Sequence, residues 1–314
     1  MQIEMKKPVH IHIVGAAQSV GCNCDGVQYG PNSIRECGLL ERVASMGVVV
    51  TDSGNVYNDS TIVCSQNENM HNIEQVTDFS LRLSAKIADV LRNGEMPLVL
   101  GGDHSLSIGS VSAALEVFSA DDLGVVWVDA HTDINTPEVS PSGNIHGMTI
   151  ASLLGLGSGK ISNICGSSPK LKPENIIYVA SRDIDSGEAC IIKEYGISVI
   201  SMKEIIEDGL EAALQHLRLL LRDLNVSNIY MSIDIDVMDP LIAPGTGVAV
   251  PNGIYTPILY ELLDAIVDTG KVRGVEMVEV NPLLDNKDNR TSLLAVDIIS
   301  YLMQRVGCLD SKTK

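Results

Sequence analysis

Eight short apolar runs recur along the chain, and helical patterns fall between most of them. The runs are His10–Val14, Val48–Thr51, Pro97–Leu100, Gly124–Val128, Ile176–Ala180, Ser198–Ile200, Ile229–Ile233 and Val272–Val278. Strands alternating with helices predict an α/β fold, a mostly parallel sheet with helices on both faces. Hydrophobic residues make up 45% of the chain but aromatic ones only 4%. The core must therefore be built from Val, Ile, Leu and Ala, which favours parallel strands buried on both faces. The clearest helix is Ile73–Leu91, where Ile73, Val76, Phe79, Leu83, Ile87 and Val90 recur at three and four residues. Asn72 is expected to cap it with Gln75 at the capping-box position, and Asn93-Gly94 to end it. Leu210, Leu214, Leu217, Leu221 and Leu224 form a second stripe, with Asp208 and Glu211 placed for its cap. Both stripes read as core packing. Asp52–His71 and Gly155–Glu174 read as long loops. With no internal repeat or low-complexity linker, residues 1–314 are expected to form a single domain.

The formal net charge is −18. That balance excludes a basic footprint, so no nucleic acid and no anionic membrane surface is expected as a partner. Some of the acids can instead bind metal and focus a negative field on a cationic substrate. Seven cysteines, Cys22, Cys24, Cys37, Cys64, Cys165, Cys190 and Cys308, include no Cys-x-x-Cys pair. Scattered free thiols fit a reducing compartment. Met1–Val9 carries Lys6 and Lys7 with no apolar segment after them, and no apolar run approaches the roughly 18 residues that span a bilayer. A soluble, cytoplasmic protein is expected.

Three of the apolar runs end in polar clusters. Gly101-Gly102-Asp103-His104-Ser105 supplies His104, Asp129-Ala130-His131-Thr132-Asp133 supplies Asp129, His131 and Asp133, and Ser232-Ile233-Asp234-Ile235-Asp236 supplies Asp234 and Asp236. The strand ends of an open parallel sheet deliver such residues to one rim, where ligands bind. At i, i+2 and i+4 on an extended strand end, Asp129, His131 and Asp133 share a face, and Asp234 and Asp236 repeat the spacing. Carboxylates this close raise one another's pKa unless a cation stands between them. A divalent ion supplies that cation. Four carboxylates and two imidazoles, with no thiolate, suit Mn2+ better than a structural Zn2+, while Fe2+, Co2+ and Zn2+ stay open. Six ligands exceed the needs of one catalytic ion, so two ions about 3.5–4 Å apart, bridged by shared carboxylates, are expected. Gly101-Gly102 is followed by neither a Gly-x-Gly-x-x-Gly nor a Lys-Ser/Thr pattern, which favours a tight turn over a phosphate loop. His10, His12, His71 and His216 lie outside the clusters and read as structural or solvated.

GGDHS (Gly101–Ser105), VDAHTDINTP (Val128–Pro137), SGNIHG (Ser142–Gly147), RDIDSGE (Arg182–Glu188), SIDIDVMDP (Ser232–Pro240) and MVEVNP (Met277–Pro282) follow one another across nearly the whole chain. In this order they resemble the ureohydrolase family, and the arginases in particular. The resemblance implies a single arginase-like catalytic domain, a three-layer α/β/α fold around a central, mostly parallel eight-stranded sheet. It implies two Mn2+ per subunit on His104, Asp129, His131, Asp133, Asp234 and Asp236, with Asp129 and Asp234 bridging. It also implies a homotrimer and a reaction that hydrolyses a guanidinium group and releases urea. The chemistry of the residues agrees. A guanidinium carbon is a poor electrophile and needs a strong nucleophile, such as a bridging hydroxide, held in line. Metal ions acting as Lewis acids would stabilise the tetrahedral intermediate. Glu279, following the run Val272–Val278, is the candidate anchor for the guanidinium. Asp133 is placed to pass on a proton, and His146 to shuttle protons to solvent or to the leaving amine, a task suited to an imidazole pKa near ~6.5.

The metal motifs alone do not separate an arginase from an agmatinase, a guanidinobutyrase or a formiminoglutamase. Recognition of the α-amino acid end does. Asn135, Ser140 and Ser142 can donate to an α-carboxylate. Asp185 and Glu188 can receive an α-ammonium, with Asp185 expected to be the direct contact, and Thr246 is a further candidate at the rim. Such a site would reject agmatine, which lacks the carboxylate. The expected substrate is therefore L-arginine, giving L-ornithine and urea. The alternatives are another guanidino-compound amidinohydrolase and a non-catalytic metal-binding homologue; a zinc deacetylase needs fewer ligands. Three stretches depart from the family pattern: Gly15-Ala16-Ala17-Gln18 lacks the usual proline, Cys22-Asn23-Cys24 replaces a polar turn, and the residues around Gly245-Thr246-Gly247 are changed. The chain ends soon after the helical stretch Ala295–Val306, so the tail contacts some arginases make between subunits are not expected.

Overall fold

The computed structural model describes residues 9–65, 67–167 and 170–312. The apolar runs become strands: β1 His10–Ala17, β2 Val49–Tyr57, β3 Met96–Gly101, β4 Leu123–Val128, β5 Ile176–Ser181, β6 Ser198–Ser201, β7 Asn228–Asp234 and β8 Val272–Val278. Among the described residues they form one eight-stranded sheet in the order β2-β1-β3-β8-β7-β4-β5-β6. Every pairing is parallel, so the expected mostly parallel sheet is parallel throughout. β3, β4, β5 and β7 are buried along their whole length, which is why they read as unbroken apolar runs. β2 is an edge strand and largely exposed. It takes Asp52–Tyr57 out of the expected loop, because a solvated edge tolerates the polar side chains that hid it from a hydrophobicity pattern.

Two cores, one on each face of the sheet, make the three layers. Successive strand residues point to opposite faces, so Leu98 and Leu100 join one core while Val99 joins the other. Helices Gly30–Glu36, Leu39–Ala44, Leu210–Asp223, Thr256–Val267 and Arg290–Lys312 cover the first face, and Ile73–Arg92, Ser107–Phe118 and Thr149–Leu154 cover the second. Among the described residues no helix is long and apolar enough to cross a membrane.

The helix starts differ from expectation. Asn72 is left-handed at φ 56° and its side chain does not cap the helix. Its Nδ2 donates to the Val20 carbonyl at 2.9 Å, and Gln75 Nε2 donates to the Ile62 carbonyl at 3.1 Å. Both amides therefore tie neighbouring loops to the helix. The helix Leu210–Asp223 begins after Gly209 without a side-chain cap, and Asp208 ends the preceding helix, Met202–Glu207. Within the expected loop Gly155–Glu174 lies a short helix, Gly159–Ser162.

β3, β8, β7, β4 and β5 are neighbours in the sheet, so their carboxyl ends make one continuous rim. The loop after β3 is pressed against the loop after β1. Gly102 N–H donates to the Ala16 carbonyl at 2.8 Å, and a Cβ on Gly102 would stand 1.9 Å from the Gln18 carbonyl oxygen. Only glycine permits that approach.

Candidate metal centre

The six expected ligands meet above this rim, five of them in two triads that share Asp129 and the sixth, Asp133, beside His104. His104, Asp129 and Asp234 form one, and Asp129, His131 and Asp236 the other, with the ligand atoms of each triad within 4.8 Å of one another. In three of the aspartates one carboxylate oxygen is fixed by a backbone N–H and the other is turned inward. Asp129 Oδ1 accepts from His131 N–H at 2.7 Å, Asp234 Oδ1 from Asp236 N–H at 2.8 Å, and Asp236 Oδ1 from Ala130 N–H at 3.2 Å. The inward Oδ2 atoms of Asp129 and Asp234, and that of Asp133, each lie 3.1 Å from His104 Nδ1. His131 Nδ1 lies 2.9 Å from Asp236 Oδ2 and 3.5 Å from Asp129 Oδ1. Asp129 thus stands between the triads as expected of a bridge, whereas Asp234 belongs to the first triad only.

Three side chains orient His104. Its ring stacks on Trp127, with centroids 4.0 Å apart and planes at 6°. Its Nε2 lies 2.8 Å from Ser232 Oγ, and its backbone N–H donates to Glu279 Oε1 at 2.8 Å. Trp127 and Ser232 were not singled out in the sequence, yet each stands two residues before a ligand aspartate. Strand periodicity puts them on the ligand's face, and that signal was available. Asp133 and Glu279 have left-handed backbones, φ 47° and 62°, conformations uncommon outside glycine and concentrated at functional sites.

The electrostatics call for a cation. Burial, together with the charge of Asp129, pushes Asp133 up and Asp236 up to about 6. Burial and the charges of Asp236 and Asp129 push Asp234 far up. Burial also opposes charge on Asp129, but the neighbouring imidazoles of His104 and His131 overcome it and hold its carboxyl below the usual range. Both imidazoles are driven up by the carboxylates despite their own burial. Among the described residues, the ion pairs of these four carboxylates are all with histidines. His104 Nδ1 and Asp129 Oδ2 are buried and lack a hydrogen-bond partner. Inward-facing oxygens, two imidazoles and uncompensated negative charge fit two divalent cations.

Beside the triads lies a cavity of about 250 Å³. Its wall includes His131, Asp133, Asn135, Ser140, Ser142, His146, Asp185, Glu188, Asp234, Asp236 and Glu279, together with Asn144, Asp183 and Val248. Glu279 Oε1 lies 3.1 Å from His146 Nδ1. Burial would lower the His146 pKa, but that bond and the charges of Glu279, Asp133 and Asp103 push it up to about 9. The value near 6.5 expected for a loop imidazole is thus corrected upward. Asn135 Nδ2 donates to Asp185 Oδ2 at 3.0 Å. Ser140 Oγ and Ser142 Oγ accept backbone N–H groups of Gly143 and Asn144 at 3.0 and 3.2 Å, which leaves their hydroxyl protons to donate. Glu188 is buried and accepts from Asp185 N–H at 2.9 Å and Ile134 N–H at 3.1 Å, so it braces the loop that Asp185 presents. Thr246 is not on the cavity wall. Its loop is pinned by Gly245 N–H to Thr291 Oγ1 at 2.8 Å, its hydroxyl is buried, and Val248 faces the cavity instead.

The remaining histidines sit as expected. His10 and His12 share Glu95, His216 lies 2.8 Å from Glu204, and His71 lies 3.1 Å from Asn144 Oδ1. Cys24 Sγ accepts from Asn281 Nδ2 at 3.4 Å, which places this departure from the family pattern close to the Glu279 turn.

The family model of the arginase family matches residues 9–304. The chain is 37% identical over 293 residues to the arginase of Bacillus subtilis (strain 168), covering 93% of this chain and 97% of that one. The native structure of the Bacillus caldovelox arginase matches with a TM-score of 0.88 at 33% identity, covering 95% of this chain and 98% of that one. The Entamoeba histolytica arginase, solved in complex with L-ornithine, matches with a TM-score of 0.84 at 28% identity, covering 95% and 99%. With the metal-ligand geometry, the all-parallel sheet and this similarity along nearly its whole length, the chain belongs to the arginase family.

Proposed function

We propose that this chain hydrolyses the guanidinium group of L-arginine to L-ornithine and urea, using two Mn2+ ions in one catalytic domain. The observation that carries it is a single cavity beside the two triads whose wall includes Glu279, Asn135, Ser140, Ser142 and Asp185. His104, Asp129 and Asp234 would hold one ion and Asp129, His131 and Asp236 the other, with Asp133 beside His104. When bound, such a pair supplies Lewis acidity and a hydroxide nucleophile near neutral pH. The oxygen-rich donor set favours Mn2+.

The chain's own residues do the rest. Glu279 takes the guanidinium in a charge-assisted contact and orients its carbon. Asp133, lining the cavity, receives the proton lost by the nucleophile. His146, held protonated by Glu279, gives a proton to the leaving amine. Ser140, Ser142 and Asn135 donate to the α-carboxylate, and Asp185 receives the α-ammonium, with Glu188 bracing it. A homotrimer in the cytoplasm belongs to the same proposal; the scattered cysteines suit a reducing compartment.

The test is urea release from L-arginine and from agmatine after chelation and re-addition of Mn2+. Activity restored by Mn2+ on arginine alone supports the proposal. Preference for agmatine would remove the amino-acid pocket, and inactivity on both would remove the assignment.

A further inference from the structure

Arg182 makes an unusual set of bonds for an arginine beside four aspartates. Its guanidinium pairs with no carboxylate among the described residues and donates only to backbone carbonyls. Nη2 donates to Asp236, Val250 and Met238 at 2.7, 2.9 and 3.4 Å, Nη1 to Val237 at 3.1 Å, and Nε to Pro251 at 3.3 Å. The five acceptors belong to two segments, the loop after β7 and the turn at Val250 and Pro251. One planar fork with five N–H groups can hold both at once; a lysine, with three donors on one atom, cannot.

The backbone around Arg182 reaches the third segment. β5 breaks register with β6 between Val179 and Ser181, and Ala180 adopts φ 69°. This bend turns the chain across β4. Arg182 N–H and Asp183 N–H both donate to the Ala130 carbonyl, at 2.8 and 3.0 Å, and Ser181 Oγ donates to the His131 carbonyl at 3.3 Å. Ala130 N–H in turn donates to Asp236 Oδ1 at 3.2 Å. His131 and Asp236 come from different strands, and this cross-brace joins their loops. None of these bonds reaches His104, and Asp234 meets the braced loop only through Asp236 N–H, which donates to its Oδ1 at 2.8 Å. His104 is oriented separately, by Trp127, Ser232 and Glu279.

We infer that Arg182 is a positioning residue for one metal ion only, the ion held by Asp129, His131 and Asp236. This inference rests on the two-metal assignment above and adds that the ion on His104, Asp129 and Asp234 does not depend on Arg182. Its positive charge stands near the ligand aspartates, so charge alone would weaken cation binding. The five carbonyl bonds work the other way, by fixing where Asp236 presents its carboxylate, and they dominate. Coordination tolerates errors of only a few tenths of an ångström, so a loosened loop costs affinity even when the ligands are retained.

The experiment is calorimetric titration of Mn2+ into the metal-stripped full chain, with Arg182→Met, Arg182→Lys, His131→Ala and Arg182→Met/His131→Ala alongside. Thermal melts of the stripped proteins check folding. Wild type that binds fewer than two ions would refute the two-metal assignment, independently of any variant. If wild type binds two, Arg182→Met should bind one at parental affinity and the other at least tenfold more weakly. Arg182→Lys, the milder change, should recover part of that loss, and adding Arg182→Met to His131→Ala should change the remaining ion by less than threefold. Equal weakening of both ions, tighter binding in Arg182→Met, or an unchanged second ion in both Arg182 variants would each overturn the inference.

Discussion

Replacing Glu279 by Gln separates the guanidinium anchor from the metal centre. The side chain is buried, and Oε1 accepts from His104 N–H at 2.8 Å and lies 3.1 Å from His146 Nδ1. Glutamine keeps the volume and an acceptor oxygen for His104 N–H, so both triads should keep their ions. What is lost is the charge facing the substrate. Removing one partner of a buried, hydrogen-bonded charge pair costs about 2–5 kcal/mol. At about 1.4 kcal/mol per tenfold, kcat/KM on arginine should fall roughly 30- to 5000-fold. The assay is steady-state urea release with bound Mn2+ measured on the same samples by atomic emission. A second readout is independent of turnover. The Glu279 hydrogen bond and charge raise the His146 pKa to about 9, so in the variant the His146 imidazole resonance should titrate at lower pH. A kcat/KM within about fivefold of wild type would refute the anchor, and loss of an ion would mean that Glu279 serves the metals instead.

Four further predictions use other parts of the structure. Asp185→Ala should raise KM for arginine and leave Mn2+ binding intact, because Asp185 lines the cavity outside both triads; an unchanged KM would remove it from the substrate contacts. Asp129→Asn should weaken both ions while His131→Asn weakens one, since only Asp129 is common to the two triads; equal losses by titration calorimetry would contradict the shared-ligand geometry. Trp127→Leu removes the ring stacked on His104 and should weaken the His104-side ion roughly 2- to 10-fold, the scale of an aromatic pair beyond its buried area. As Trp127 is the only tryptophan, wild-type emission should also report metal loading, and emission indifferent to Mn2+ would argue against contact with the centre. Burial lowers the Lys170 pKa from 10.5 to about 8. Between those values the unfolded chain binds more protons, so this residue adds stability as pH rises. Burial pushes Cys165 up from 9.0 to about 11 with the opposite slope, which leaves pH 8–9 as the window. There the wild-type melting temperature should climb relative to Lys170→Met, and parallel curves would refute the buried charge.

The alternation of apolar runs and helical stripes was enough to determine a layered α/β fold with a parallel sheet, because burial on both faces writes a continuous local pattern. The strand-end clusters were enough to pick out six candidate metal-binding residues, because closely spaced carboxylates in a fold of this kind call for a cation. Both signals lie within a few consecutive residues. The tertiary structure decided everything that depends on atoms distant in sequence. It sorted five of the six expected ligands into two triads around Asp129, left Asp133 beside His104, and took Asn72 and Gln75 away from the expected cap to serve neighbouring loops. It also withdrew Thr246 from the cavity and brought Val248 to it. It joined Glu279 to His104 across 175 residues and to His146 across 133, which is what moves the His146 pKa. Arg182 shows the limit most plainly. Its five acceptors are backbone carbonyls, groups that every residue carries, so no side-chain pattern could have announced them.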